Sequence, residues 1–333
     1  HYARAGHNAA LAGASASAQF LLTRALRLLP RDHGERVAVH LALETLHRDA
    51  SELPPRLRHL VAARRCARRI PDRAGLALVQ LREARLRLDR MEPEKARELA
   101  ENAFVAATAQ GAPHVAAEAA AILANVLRDL GLPLEALTRL EQVLEGEAGR
   151  GLAPALRGEL LRYSGVLWRR LGHKDRALDA YSEVVAIYER AGLRSSVLAE
   201  AWNARGYALI VDAQLAAARR AIGEARHILR AVGARRTLGK VDTNLAIVYF
   251  VAGDLATAIA HSNQALRHHE EDEDYDGFAD SYLIRAQLAC AADDLTGARA
   301  HLCRAEELAA LASSPYDAVH AALTCGWLCQ RAA

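Results

Sequence analysis

The chain is short of the residues on which most enzymes and many folds depend. Aromatic side chains make up 5% of its 333 positions, and it contains one methionine. That scarcity removes the usual material of a β-sheet core. It has five cysteines, Cys66, Cys290, Cys303, Cys325 and Cys329, with no C-x-x-C spacing. An odd, scattered set gives no disulfide framework. On apolar helical faces it reads as small buried hydrophobes in a reducing, cytoplasmic setting. Cys325 and Cys329 lie four apart, but no second close pair completes a metal site. There is no run of about eighteen consecutive apolar residues, which excludes an ordinary membrane-spanning helix and with it a membrane partner. Phosphate-binding glycine loops are missing, as are H-E-x-x-H and G-x-S-x-G. These absences argue for a protein that is not an enzyme and uses no cofactor. His268 and His269 read as cations at a helix end.

Hydrophobic residues occupy 52% of the chain, chiefly alanine and leucine, and charged residues 25%. Such a composition predicts an all-α protein. Net charge is only +3 but unevenly spread. Residues 1–100 hold 19 Lys and Arg against 11 Asp and Glu, and the rest of the chain is net acidic. The first third could therefore attract an acidic partner. Nucleic acid is a poor match there, because aromatics for stacking are almost absent.

The dominant pattern is an internal repeat. Ala96, Ala136, Ala177, Ala218, Ala258 and Ala298 stand 40 or 41 residues apart. Twelve residues before them run Ala84, Ala124, Gly165, Gly206, Ala246 and Ala286, and that column continues to Gly326. Small residues at fixed points on two successive helices allow the backbones to approach closely. A third column, Gly111, Gly151, Gly192 and Gly233, marks the turn after each second helix, where positive φ is expected. The segment 158–191 shows one unit. Leu161, Ser164, Gly165 and Trp168 share one face of a first helix, and Ala177, Tyr181, Val184 and Tyr188 share one face of a second.

A large residue, a small one, then an aromatic, followed by Gly-Asp and later alanines, resembles the tetratricopeptide repeat. Tyr249, Gly253, Asp254, Ala258 and Ala265 fit it, as do Trp202, Gly206 and Ala218, and Tyr2, Gly6, Ala18 and Pro30 near the start. The period of about 40, against 34 for that repeat, implies longer helices. The resemblance implies a right-handed α-α superhelix of about eight hairpins plus one terminal helix. Its units lie near 1–35, 36–75, 76–112, 113–152, 153–193, 194–234, 235–276 and 277–313, with the last helix at 314–333. The second unit is degenerate, because Arg56 follows Pro54 and Pro55 where alanine is due. The period and the opening His-Tyr-Ala-x-Ala-Gly phrase also resemble arrays attached to bacterial STAND-type signalling ATPases, transcription activators and kinases. With a chain that begins inside a helical pattern, this implies one solenoid domain cut from a longer protein.

Asp272-Glu273-Asp274-Tyr275-Asp276-Gly277 copies the start of a calcium loop. Position twelve is Leu283 instead of Glu, so it reads as an acidic turn between hairpins whose Asp276 or Asp280 caps the next helix. Function is expected on the concave face lined by the first helices. In register, Asn125, Arg128, Arg162, Arg169, Asn203, Tyr207, Lys240, Asn244 and Phe250 project there, together with Ile247 and Gln287. Asn203 and Asn244 suit a peptide backbone, because an amide both donates and accepts. Tyr207 and Phe250 could anchor apolar side chains. Lys240 and Asn244 match part of the set that clamps a terminal carboxylate in related repeats. The expected function is a non-enzymatic scaffold that binds a protein or peptide segment and regulates an attached effector. The alternative is a sensor of a small molecule or signalling peptide in the same groove.

Overall fold

Proline opens four helices of the array: Pro93, Pro113, Pro133 and Pro154 sit at the first helical position, where a missing N–H costs nothing. The computed structural model describes residues 1–312 apart from 12–13, 50–52, 70–72, 91, 233, 235–236 and 273–274. Among these residues every regular element is helical. In chain order the helices are α1 (Tyr2–Leu11), α2 (Ser15–Leu28), α3 (Glu35–Asp49), α4 (Leu53–Ala67), α5 (Arg73–Asp89), α6 (Pro93–Ala109), α7 (Pro113–Asp129), α8 (Pro133–Glu145), α9 (Glu147–Arg150) and α10 (Pro154–Arg170). They continue with α11 (Lys174–Arg190), α12 (Ser196–Val211), α13 (Leu215–Val232), α14 (Leu238–Val251), α15 (Leu255–Asp272), α16 (Tyr275–Ala291) and α17 (Leu295–Ala312). Cys325, Cys329, Gly326 and the expected terminal helix lie outside the described residues, as does Gly233.

The contacts group the chain into two units, His1–Leu171 and Gly172–Ala333. In the first, α1 pairs with α2, α3 with α4, α5 with α6 and α7 with α8, while α10 packs on α7 and α8. First helices also touch first helices: α1 meets α3, α3 meets α5, and α5 meets α7. In the second unit α12 pairs with α13, α14 with α15 and α16 with α17. There α11 packs on α12, and α12, α14 and α16 touch in succession. Each unit thus has a continuous inner layer of first helices.

Both alanine and small-residue columns are buried. Ala18, Ala96, Ala136, Ala218 and Ala258 are fully inaccessible, as are Ala84, Ala246 and Ala286. Gly206 shows why the columns stay small. A Cβ there would collide with the Ile222 side chain and come within 3.3 Å of the Ala218 carbonyl oxygen.

The turns refine the expected glycine column. Gly111 and Gly192 do take positive φ, at 62° and 64°. Gly151 does not: its φ is −95°. The one-turn helix α9 follows α8 and carries the chain to the next hairpin by another route. A more regular left-handed column lies inside the hairpins, at Gly131, Gly172, Ala213, Gly253 and Asp293. Its members are 40 or 41 apart, and two of them are not glycine.

Hairpin two is where the columns break, and both break together. Glu44 stands twelve residues before Arg56, in the small-residue column. Its carboxylate accepts a hydrogen bond from Arg56 Nε at 2.6 Å, with Glu44 fully buried and Arg56 nearly so. A charge pair has replaced a contact between small side chains. One turn to either side on α3, and one turn on along α4, are His40, His47 and His59. The His40 and His59 Nδ1 atoms lie 3.1 Å apart, one donating to the other, and His47 stacks on His59. Burial, then the neighbouring His59 and Arg36, push His40 down to about 4; burial and His47 lower His59.

Two further expectations change. Cys303 is exposed, whereas Cys290 is buried and Cys66 intermediate, so the cysteines are not uniformly core residues. His269 does stand in the last turn of α15, but it points into the protein and not to solvent. It is 1% exposed and its ring packs where a Cβ on Gly239 would have to go. Tyr275, Asp276 and Gly277 of the acidic segment already belong to α16. Its Glu273 and Asp274 lie outside the described residues.

Candidate binding surface on the first helices

The candidate residues divide between the two units. In the first, Asn125 and Arg128 lie on α7, and Arg162 and Arg169 on α10, the helix that packs against it. Asn125 Nδ2 donates to the Tyr163 hydroxyl at 2.7 Å, and the Arg162 guanidinium lies 4.2 Å from the centre of the Tyr163 ring. Tyr163 therefore joins two of the expected residues. Register alone does not place Tyr163 on this face, because it stands two residues before the small column residue Gly165, and it is only 8% exposed. Its hydroxyl marks it, since a buried phenol needs a partner. Arg128 turns to Asp129, at 2.8 Å, and Arg169 is exposed near the end of α10.

In the second unit Asn203 and Asn244 face each other. Asn244 Nδ2 donates to Asn203 Oδ1 at 3.0 Å, from residues 41 apart on α12 and α14. Among the described residues each amide keeps unused capacity: Asn203 its N–H groups, and Asn244 its carbonyl and one N–H. Tyr207 lies one turn beyond Asn203, and Lys240 one turn before Asn244, so each shares a helix face with its asparagine. Tyr207 is half-buried and Lys240 exposed. Trp202, also on α12, carries the Arg205 guanidinium 5.1 Å from its ring centre. Phe250 is half-buried at the C-terminal end of α14 and does not share the face of Asn244; Ile247 does, and Gln287 is half-buried on α16.

Beneath this face lies a polar layer. Thr243 donates to the Gly239 carbonyl at 3.0 Å, which leaves the Ser281 hydroxyl to donate to Thr243 across 2.9 Å, from α16 to α14. Asp242, fully buried, accepts from His261 Nδ1 at 3.0 Å and forms an ion pair with the Arg226 guanidinium at 3.2 Å; His268 Nε2 stands 3.6 Å from its other oxygen. Asp242 and His261 occupy the same register as His40 and His59, nineteen residues apart in both hairpins. Both pairs close the inside of a hairpin. Among the described residues, no group of three His, Cys, Asp or Glu side chains is arranged to hold a metal ion, and no helix is long and apolar enough to cross a membrane.

The fold is that of tetratricopeptide-repeat proteins. The chain is similar to the apo form of the quorum sensor NprR from B. thuringiensis at 12% identity, with a TM-score of 0.70 over 92% of this chain and 86% of that one. It is similar to a Rap protein complexed with Competence and Sporulation Factor, at 15% identity and TM-score 0.63, over 87% and 80% of the two chains. A STAND protein with a tetratricopeptide-repeat sensor from Pyrococcus horikoshii matches at 14% identity and TM-score 0.59, over 87% of this chain and 42% of that one. No family profile and no curated protein matches the sequence.

Proposed function

We propose that the chain is a non-enzymatic sensor or scaffold domain that binds a peptide or protein segment on the first-helix face of its second unit and regulates an attached effector. The observation that carries this reading is the Asn203 and Asn244 amide pair, held one repeat apart with a donor and an acceptor still available. An extended backbone offers the complementary pattern, an N–H and a C=O on the same edge. Tyr207 and Ile247 supply apolar contact beside it. Lys240, exposed and one turn from Asn244, suits a carboxylate, either a side chain or a chain terminus. Support comes also from the similar folds of a quorum sensor and of a Rap protein bound to a signalling factor, and from a STAND protein whose repeat domain is a sensor.

The test is an array of short peptides with free or amidated C-termini, followed by fluorescence polarisation on the peptides retained. Asn203→Ala with Asn244→Ala should weaken binding about tenfold or more, with helicity retained. Lys240→Glu should abolish any preference for the free carboxylate. Unchanged affinity in the double variant would move the site elsewhere.

A further inference from the structure

The outer side of the first unit holds a second surface, unrelated to the amide pair. Between α6 and α8, two ion pairs tie the second helices together: Arg97 to Glu135 at 2.7 Å, and Arg139 to Glu101 at 3.3 Å. Relative to the alanine column these residues stand one and five positions after Ala96, and one before and three after Ala136. One repeat earlier, the same four positions are Leu57, Val61, Lys95 and Leu99. No ion pair can form there between α4 and α6, except through Lys95, whose ammonium group is already held by Glu92 at 2.7 Å.

Those four residues line a groove of about 340 Å³ between α4 and α6, with Leu60 and Leu86 at its base. Val61 is 58% exposed, an aliphatic side chain standing where the next pair of helices carries a charge. Next to the groove, the stretch from Leu53 to Arg69 contains six arginines and no acidic residue. Arg56 is taken by Glu44 and Arg64 by Glu83. Arg58, Arg65, Arg68 and Arg69 are exposed and make no ion pair among the described residues. Arg58, Val61, Arg65 and Arg68 follow one another at three- and four-residue spacing, so they form one stripe along α4 and the turn after it. Glu98, on the opposite wall, is the one acidic group lining the groove that makes no ion pair among the described residues.

We propose that this groove docks an acidic amphipathic helix of a partner protein. The partner's apolar side chains, spaced three and four apart, fill the slot between Leu57, Val61 and Leu99, and its carboxylates meet Arg58, Arg65 and Arg68. The match is one of charge and shape together: a purely ionic partner would leave the aliphatic floor wet, and a purely apolar one would leave the arginines unused. Nucleic acid fits less well, because no aromatic side chain lines the groove for bases to stack on.

The probe is a fluorescein-labelled synthetic helix with leucine at the a and d positions of each heptad and glutamate at most others, titrated with the full chain at near-physiological salt. A glutamate-only peptide of equal charge and an oligothymidylate serve as competitors. The leucine peptide should bind and neither competitor should displace it at comparable concentration. Val61→Glu should weaken binding about tenfold, and Arg58→Glu with Arg65→Glu by a similar factor. All three positions are exposed, so circular-dichroism melting should stay close to that of the parent. Failure of the leucine peptide to bind, equal binding of either competitor, or indifference to both variants would overturn the proposal.

Discussion

Glu44 and Arg56 form a buried ion pair at the two positions that the other hairpins fill with glycine or alanine. Neither substitution is tolerable alone. A lone carboxylate or guanidinium at the centre of a helix pair would be a desolvated charge without a counterion, whereas the two together neutralise one another. Glu44→Ala and Arg56→Ala should therefore each cost about 3–5 kcal/mol. The double replacement, which restores the small-residue columns, should cost less than either single change. Urea denaturation of the four proteins measures this, and additive losses would show that the two side chains are energetically independent.

The same hairpin should be sensitive to acid. His40 titrates at about 4 in the folded chain, below its ordinary 6.5, and His59 is also lowered, so the unfolded chain binds protons first as the pH falls. The stability contributed by keeping them neutral is fully present above about pH 6.5 and is lost as the pH drops toward 4. For His40 alone the loss is about 2–3 kcal/mol. Denaturation midpoints of the parent and of His40→Gln, compared at pH 7 and 4.5, should converge at the lower pH.

Gly206→Ala should destabilise the α12 and α13 hairpin by about 1–3 kcal/mol, because the new methyl group meets Ile222. Ile222→Ala removes the Cγ1 atom that the new methyl group meets, so the losses from Gly206→Ala and Ile222→Ala should be less than additive in the double variant. Additive losses in thermal melting would mean that the contact keeping this column small is with the Ala218 backbone instead.

Ala213 has φ of 57° in the turn between α12 and α13, at a position that is glycine in three of the equivalent turns. Left-handed geometry costs an alanine roughly 1–2 kcal/mol, part of which glycine returns through its greater freedom when unfolded. Ala213→Gly is expected to raise the melting temperature by about 2 °C. A lower melting temperature would mean that the methyl group makes compensating contacts.

The repeat could be read directly because its causes are local. A small residue every 40 or 41 positions and helical spacing on each segment are constraints on the chain's own neighbourhood, and they locate the hairpins and the buried columns. They also flagged Arg56 as an irregularity. Which residue answers an irregularity is a matter of distance in space. Glu44 stands twelve residues upstream, and only the packing of α3 against α4 brings it to Arg56. Asn203 and Asn244 could be assigned to first helices by register, but their hydrogen bond to each other, and that of Asn125 to Tyr163, depend on how closely successive first helices approach. Gly151 departs from expectation because α9 is inserted after α8, and Cys303 because it stands beside the buried stripe of Ala298, Leu302 and Ala305 on α17 and not in it. The amino-acid order alone was enough for an all-α array of hairpins with numbered columns, since periodicity follows from backbone geometry. The partners of its charged and amide side chains, and the groove left open between α4 and α6, come from contacts between helices many residues apart, where burial and charge neutralisation select one arrangement.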